Sequence, residues 1–136
     1  MSSPSNLKGL ENGRAAFAYE RVQEAKADTD SKEYRAYTRR LPMLIKTNGL
    51  GNALAFEYAK GSNQAPNAHD LLLKHLTDWF RLPQNEYLLG KLGKQPDALL
   101  LKVIKTDSAT YRSVTTEVLA LLHWLRRLAE GAIEKK

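Results

Sequence analysis

A chain of 136 residues with 43% hydrophobic residues is long enough for one domain with its own core, and the absence of cysteine excludes disulfide scaffolds, cysteine-ligated zinc and a thiol nucleophile. The formal net charge of +6 favours a polyanionic partner, although many basic proteins bind no nucleic acid. Neither a signal-peptide segment nor an apolar run of membrane-spanning length is visible, so we expect a soluble, cytoplasmic protein.

The N-terminal part of the chain is predicted to be a disordered leader over residues 1–6, followed by a first helix over residues 7–28. The helical repeat gives this helix an apolar face made of Ala15, Ala18, Tyr19 and Val22. A neighbouring, more polar face carries Arg14, Phe17 and Arg21. Because Phe17 lies between two arginines on that face, we expect its ring to be exposed.

A second helix is predicted to begin after Asp30, which precedes Glu33 by three residues as in a capping box, and to end at Asn48. Its apolar face carries Tyr34, Tyr37, Leu41, Leu44 and Ile45. If the helix continues through Pro42, the opposite face is a basic stripe made of Lys32, Arg35, Arg39 and Lys46. No acidic residue follows Arg35 or Arg39 four positions later, so these arginines lack partners on their own helix. A solvated face remains the alternative interpretation.

The segment Asn48-Gly49-Leu50-Gly51 is the most conspicuous local feature of the sequence. A dinucleotide-binding loop has the pattern G-x-G-x-x-G and follows a strand. Here Leu54 occupies the place of the third glycine, and the residues before the segment have a helical pattern. The segment therefore predicts the end of the second helix and a tight junction to a third helix over residues 50–61.

The remainder of the chain is also predicted to be helical, with no strand. A fourth helix is capped by Asn67 and Asp70 and ends near Arg81. A connector rich in Pro, Gly and Asn follows over residues 82–96, and residues 86–89 within it can form a short turn. A short fifth helix ends near Lys105, and a long last helix begins after Asp107 and ends at residue 131. The sequence thus predicts an all-α bundle of five to six helices over residues 7–131, with a frayed tail over residues 132–136.

The sequence contains no arrangement typical of catalysis or of metal binding. His69 and His75 are six residues apart, which places them on opposite sides of a helix rather than at the spacing of a zinc pair. His75 and Asp78 predict a surface hydrogen bond. We therefore expect no enzyme activity, no metal and no cofactor.

Three blocks of the sequence resemble one protein family: RAAFAYERV (14–22), LPMLIKTNGLGNALAFEYAKG (41–61) and YRSVTTEVLALLHWLRRLAEG (111–131). They are similar to signature blocks of the small, all-helical subunit of the type III-B CRISPR effector, the Cmr complex. With the connecting helices, the resemblance covers residues 7–131.

The resemblance implies a protein without enzyme activity, whose copies stack along a ribonucleoprotein filament and whose basic surface supports the target strand. Guide pairing would read the sequence, and a different subunit would cleave the target. The implied partners are other Cmr subunits, further copies of this chain, guide RNA and target RNA, with no membrane.

The candidate RNA-binding residues come from the helical faces and not from the resemblance. Arginine beside aromatic residues is typical of surfaces for single-stranded nucleic acid. The candidates are Arg14, Arg21, Arg35, Arg39, Arg40, Lys46 and Arg127, and each could contact protein instead. Candidates for subunit contact are Phe17, Asn48 and Trp124, the last because it lies off the main apolar stripe of its helix.

Two other functions remain open. A stand-alone helical module could bind an acidic protein through the same basic faces. A helix-turn-helix DNA-binding protein would need a basic recognition helix, which neither the third nor the fourth helix provides.

Overall fold

The computed structural model describes residues 4–61 and 65–135, with side chains described from residue 9 onwards. All regular structure within these ranges is helical: α1 (Pro4–Lys26), α2 (Ser31–Asn48), α3 (Leu50–Lys60), α4 (Ala68–Arg81), a 3₁₀ turn (Pro83–Asn85), α5 (Glu86–Leu89), α6 (Ala98–Lys105) and α7 (Ser108–Ala132). The predicted all-α class with a long C-terminal helix is confirmed. In these ranges seven helices replace the predicted five to six, because the connector contains the one-turn helix α5. Within the described ranges, no helix is long and apolar enough to cross a membrane.

Helices α4 and α7 form the centre of the bundle. Helices α1 and α2 both pack on α7, while α4 contacts α1, α2, α3, α5 and α6. A helix that is apolar nearly all round belongs in the interior, and α4 is buried along most of its length. The fully buried side chains of these two helices include Leu72, Leu76, Trp79, Phe80, Leu121, Leu122 and Leu125.

Helix α2 runs antiparallel to α7, as contacts near its two ends show. Lys32, near the start of α2, lies 3.8 Å from the Glu134 carboxylate just after α7. At the opposite end, the N–H of Gly51 donates to the hydroxyl of Tyr111, which lies in the first turn of α7. The exposed side of α2 therefore runs beside the exposed side of α7 over the length of the bundle.

Two of the three predicted helix caps are confirmed. The Asn67 side chain accepts hydrogen bonds from the N–H groups of His69 and Asp70, and the Asp70 carboxylate accepts one from the N–H of Asn67. Asp107 accepts a hydrogen bond from the N–H of Thr110. Asp30 precedes α2 but its side chain makes no cap bond, because its backbone (φ −96°, ψ 25°) is not in the extended conformation that an N-cap requires.

Both ends of the bundle differ from the sequence-based expectation. Helix α1 begins at Pro4, so it includes residues 4–6 of the predicted leader, while residues 1–3 lie outside the described residues. Ile133 falls in the predicted tail, yet it is buried against the core. Its N–H donates to the carbonyl of Ala129, which extends the last turn of α7. On α1, Tyr19 was assigned to the apolar face but is 57% exposed.

The junction between α2 and α3 consists of Gly49 alone. Its φ of +88° and ψ of 159° belong to a region that is essentially restricted to glycine. Its N–H donates to the carbonyl of Ile45 over 2.9 Å and closes α2. The Tyr111 hydroxyl then accepts the N–H of Gly51 over 2.8 Å at the start of α3. The predicted tight junction is confirmed, and α7 holds it in place.

Alanine is expected to destabilise the bundle much more at Gly49, in the junction, than at Gly51, in the first turn of α3. Gly49→Ala forces a side chain into a glycine-only conformation, which costs about 1–3 kcal/mol of folding free energy. Gly51→Ala is the matched control, because Gly51 is helical and its added Cβ would lie 3.6 Å from the Tyr111 hydroxyl, an ordinary contact. Urea denaturation of both variants measures the difference. Equal losses in the two variants would contradict this account of the junction.

Candidate nucleic-acid interface

The exposed side of the α2–α7 pair carries a cluster of cations. The Nε atoms of Arg39 on α2 and Arg126 on α7 lie 3.6 Å and 3.7 Å from the same carboxylate oxygen of Glu130. One carboxylate therefore faces two guanidinium groups, and the cluster keeps a net positive charge. Lys46 lies two turns beyond Arg39 on the same face of α2 and is exposed. We call Arg39, Lys46, Arg126 and Glu130 the α2–α7 seam.

The predicted basic stripe of α2 is not free of acidic partners. Helix α2 itself places no acid four residues after Arg39, but α7 and the residues after it supply Glu130 for Arg39 and Glu134 for Lys32. Both pairs are exposed and longer than 3.5 Å, and pairs of this kind contribute little stability. Their cations therefore remain available to another anion at small cost.

Two further candidates are exposed and one is not. Lys46 and Arg127 are exposed and make no ion pair with any described residue. Arg35 is partly buried, and its Nε atom is buried without a hydrogen-bond partner in the part of the chain that the structure describes. The stripe therefore offers Arg39 and Lys46 more fully than Arg35.

Arg14, a predicted RNA contact, is instead a buried structural residue. Its Nε and Nη2 atoms donate to the two carboxylate oxygens of Glu117 on α7, each over 2.8 Å. Trp79 on α4 donates its indole N–H to the same carboxylate over 3.0 Å. The bond to Glu117 raises the pKa of Arg14 above its usual value. Arg14 thus ties α1 to α7, and its assignment to RNA is corrected.

Phe17, predicted to be exposed and to contact another subunit, lies in the core. Its ring packs edge-on against Trp79 with ring centroids 5.0 Å apart. Because α4 and α7 cover two faces of α1, the face that reads as polar in the sequence also points inward. Arg21 lies over the outer edge of this packing, with its Cζ atom 4.7 Å from the centre of the Phe17 ring and its Nη1 atom 3.7 Å from Glu24. Arg21 therefore remains a partly exposed candidate.

Of the remaining candidates for subunit contact, one is exposed and the other is partly buried. Asn48 is exposed at the α2–α3 junction. Trp124 is partly buried and packs against the core, and its indole N–H donates to Glu11 on α1 over 3.0 Å. Trp124 therefore connects α7 to α1 and offers only part of its ring to a partner.

His75 is buried and does not form the predicted surface hydrogen bond with Asp78. Its Nδ1 atom lies 2.7 Å from the Tyr34 hydroxyl on α2, and its Nε2 atom lies 2.8 Å from the Glu24 carboxylate on α1. Burial lowers the pKa of His75 to about 4. The neutral ring then donates from Nε2 to Glu24 and accepts at Nδ1 from Tyr34. Asp78 instead pairs with Lys74 and Arg81.

His69 belongs to a second buried network, between α3 and α4. Its Nδ1 atom lies 2.6 Å from a carboxylate oxygen of Glu57. Burial raises the pKa of Glu57, and the hydrogen bond with His69 opposes that rise. The ring of Tyr37 on α2 stacks on the imidazole, with centroids 3.7 Å apart and planes inclined by 23°.

Sequence reasoning missed both histidine networks because their members come from different helices. One signal could have been used: Tyr34 was assigned to the core, and a buried tyrosine hydroxyl needs a hydrogen-bond partner. A histidine on a helix that is apolar nearly all round is a suitable partner.

Comparison with known proteins identifies a family to which this chain is similar. The sequence model of the family described as CRISPR-associated protein (Cas_Cmr5) matches residues 10–132. The CRISPR system Cmr subunit Cmr5 of Thermus thermophilus is 31% identical over 121 residues, which make up 89% of this chain and 93% of that protein. The X-ray crystal structure of a CRISPR-associated Cmr5 family protein from the same organism matches with a TM-score of 0.74 and 29% identity, over 91% of this chain and 97% of that one. The match to the family model extends from within α1 to the end of α7.

Removal of the Glu117 carboxylate is expected to destabilise the bundle strongly. Glu117→Ala removes two of the hydrogen bonds of the buried Arg14 guanidinium and leaves it only the exposed Glu11 carboxylate, 2.6 Å from Nη1, as an acidic partner. Breaking a buried ion pair costs up to about 3–5 kcal/mol of unfolding free energy, measured by chemical denaturation. The double variant Arg14→Met/Glu117→Leu should lose less, because no buried charge remains. Glu134→Ala, which breaks an exposed pair, is the control and should lose less than about 1 kcal/mol. A double variant no more stable than Glu117→Ala would contradict this interpretation.

The buried His75 should make stability depend on pH in mildly acidic solution. An unfolded histidine binds a proton below a pH of 6.5, whereas the folded ring binds one only near 4. The unfolded state therefore binds more protons in this window, and stability falls with decreasing pH by up to about 1.4 kcal/mol per unit. His75→Gln should be less stable at neutral pH and should lack this part of the slope. Identical slopes for the two proteins, measured by denaturation between pH 7 and 4, would contradict the burial of a neutral ring.

Proposed function

We propose a non-catalytic function for this chain, which belongs to the Cmr5 family of small all-helical subunits of the type III-B CRISPR (Cmr) effector. In this function the chain stacks along the effector filament and supports guide and target RNA in antiviral defence. The observation that carries the proposal is the family match over residues 10–132. In this function other Cmr subunits and further copies of the chain are its protein partners. Base pairing with the guide, and not this protein, reads the target sequence.

The α2–α7 seam supports a role in holding RNA. Phosphates are neutralised by Arg and Lys at a surface, and the counterions released on binding provide the driving force. Arg39 and Arg126 share one carboxylate, and Lys46 has no acidic partner among the described residues. A phosphate can therefore engage the seam without first breaking a strong ion pair.

The buried polar residues support a non-catalytic function. His75 and His69 have the chemistry of acid–base catalysts, but each forms hydrogen bonds inside the bundle, with Tyr34 and Glu24 or with Glu57. Glu117 is likewise engaged by Arg14 and Trp79. These groups stabilise the packing of helices and are not directed at a substrate.

The surface around the α2–α3 junction supports contact with a neighbouring subunit. Asn48 is exposed there, and Ile104 is 59% exposed although it is apolar. Ile104 lies close to Gly51, because a Cβ built on that glycine would be 3.8 Å from the Ile104 side chain. An exposed apolar side chain gains free energy when a partner protein covers it but not when a phosphate does, so this surface suits a protein contact better.

Purification of the tagged chain from its native host tests the proposal. We expect other Cmr subunits in mass spectrometry and a short repeat-derived guide RNA in the extracted nucleic acid. A chain that elutes alone, or with unrelated proteins and no RNA, would contradict the proposal. Co-elution with a single acidic protein would favour the stand-alone interaction module instead.

Charge reversal at the seam, assayed in the same purification, separates RNA contact from assembly. Arg39→Glu, Lys46→Glu and Arg126→Glu together should lower the yield of RNA per complex while the other subunits remain. The control Lys26→Glu, Lys91→Glu and Lys102→Glu changes three exposed cations outside the seam by the same total charge and should have a smaller effect. Equal RNA loss in the two variants would remove the seam from the proposed RNA contacts.

A further inference from the structure

A second surface of α2 combines cations with aromatic rings. On this side, the Arg40 guanidinium lies 5.6 Å from the centre of the Tyr37 ring. On the neighbouring helix α3, the Lys60 ammonium lies 5.7 Å from the centre of the Phe56 ring. Both rings are partly buried, whereas both cations are exposed and form no ion pair with a described residue. The α2–α7 seam, in contrast, is defined by cations and a carboxylate without an aromatic ring.

The imidazole of His69 is a common support for the two rings. Tyr37 stacks on it nearly in parallel, and Phe56 meets it edge-on with centroids 6.0 Å apart. His69 is itself fixed, since its ring is bonded to Glu57 and its backbone N–H to the Asn67 side chain. The rings therefore rest on a rigid base and not on a mobile loop.

The three planar groups His69, Tyr37 and Arg40 form a column that leads from the interior to solvent. The buried imidazole stacks on the partly buried Tyr37 ring with centroids 3.7 Å apart, and the Cζ atom of the exposed Arg40 lies 5.6 Å from the centre of the same ring. The outermost group of the column is a planar cation with its outer side exposed. Unpaired bases stack on arginine planes and on aromatic side chains, whereas paired bases are already stacked within their helix.

We propose that this column is a site for one unpaired RNA base, which stacks on the outer side of Arg40 while Lys60 holds a neighbouring phosphate. The inference rests on the proposed RNA-binding function and assigns different parts of the RNA to the two surfaces. The seam contacts the phosphate backbone of any strand, and the column selects single-stranded RNA with an accessible base. The carboxylates of an acidic protein would pair with the two cations without using the planar guanidinium, whereas an RNA strand supplies a phosphate and a planar base together, which is why the geometry favours RNA.

The substitution Arg40→Lys tests the column because it keeps the charge and removes the plane. The full chain is titrated with a short single-stranded RNA and with an abasic strand that has the same number of phosphates. We expect the wild-type chain to bind the normal strand about five- to hundredfold more tightly than the abasic strand, the range typical of one stacked base. Arg40→Lys should reduce this ratio to near one and leave the salt dependence of binding unchanged.

The variant Arg112→Lys is the matched control, since Arg112 is an exposed arginine of α7 that lies outside both the seam and the column. It should keep the wild-type ratio. A wild-type ratio near one, or a ratio that Arg40→Lys leaves unchanged, would overturn the column as a base site while the proposed function stands. If the wild-type chain binds neither strand, the RNA-binding part of the proposed function fails, and the base site fails with it. Thermal unfolding of both variants verifies that the exposed substitutions leave the bundle folded.

Discussion

The carboxylate of Glu117 is the contact on which the arrangement of the bundle depends. It receives two bonds from Arg14 on α1 and one from Trp79 on α4, and it is itself part of α7. A buried charge is tolerated only when it is paired and hydrogen-bonded, so these three helices are held in one relative position. The ring of Phe17, which packs on Trp79, then fills the space beside the pair.

The use of acidic residues inside the bundle determines the charge of its surface. Glu117 and Glu57 are buried, and Glu24 is drawn to the buried His75. Of the basic residues that pair with these acids, Arg14 is buried and charged, whereas His75 is buried and neutral. Burial of two acids, Glu117 and Glu57, against one cation, Arg14, thus increases the excess of cations at the surface, and the α2–α7 seam carries part of that excess.

The helices could be predicted from the sequence, and the networks between them could not. Local signals such as the Asn67–Asp70 cap and the Gly49 turn act within a few residues, so they place element ends closely. The network of His75 joins residues 41 and 51 positions away along the chain. A helical wheel assigns a residue to a face but does not say which helix will cover that face. This is why Phe17 was wrongly predicted to be exposed, and why the Glu130 partner of Arg39, which lies on α7, could not be predicted.

Consecutive arginines on α2 show how one helix can present two kinds of surface. Successive residues of a helix point about 100° apart, so Arg39 reaches Glu130 on α7 whereas Arg40 lies over Tyr37 on the side of α3 and α4. The first environment is a shared carboxylate, and the second is an aromatic ring 5.6 Å from the guanidinium carbon. The same residue type therefore has a charged partner at position 39 and an aromatic partner at position 40. The packing of α2 between α7 and the α3–α4 pair, and not the basic stripe as such, gives the proposed interface its two chemistries.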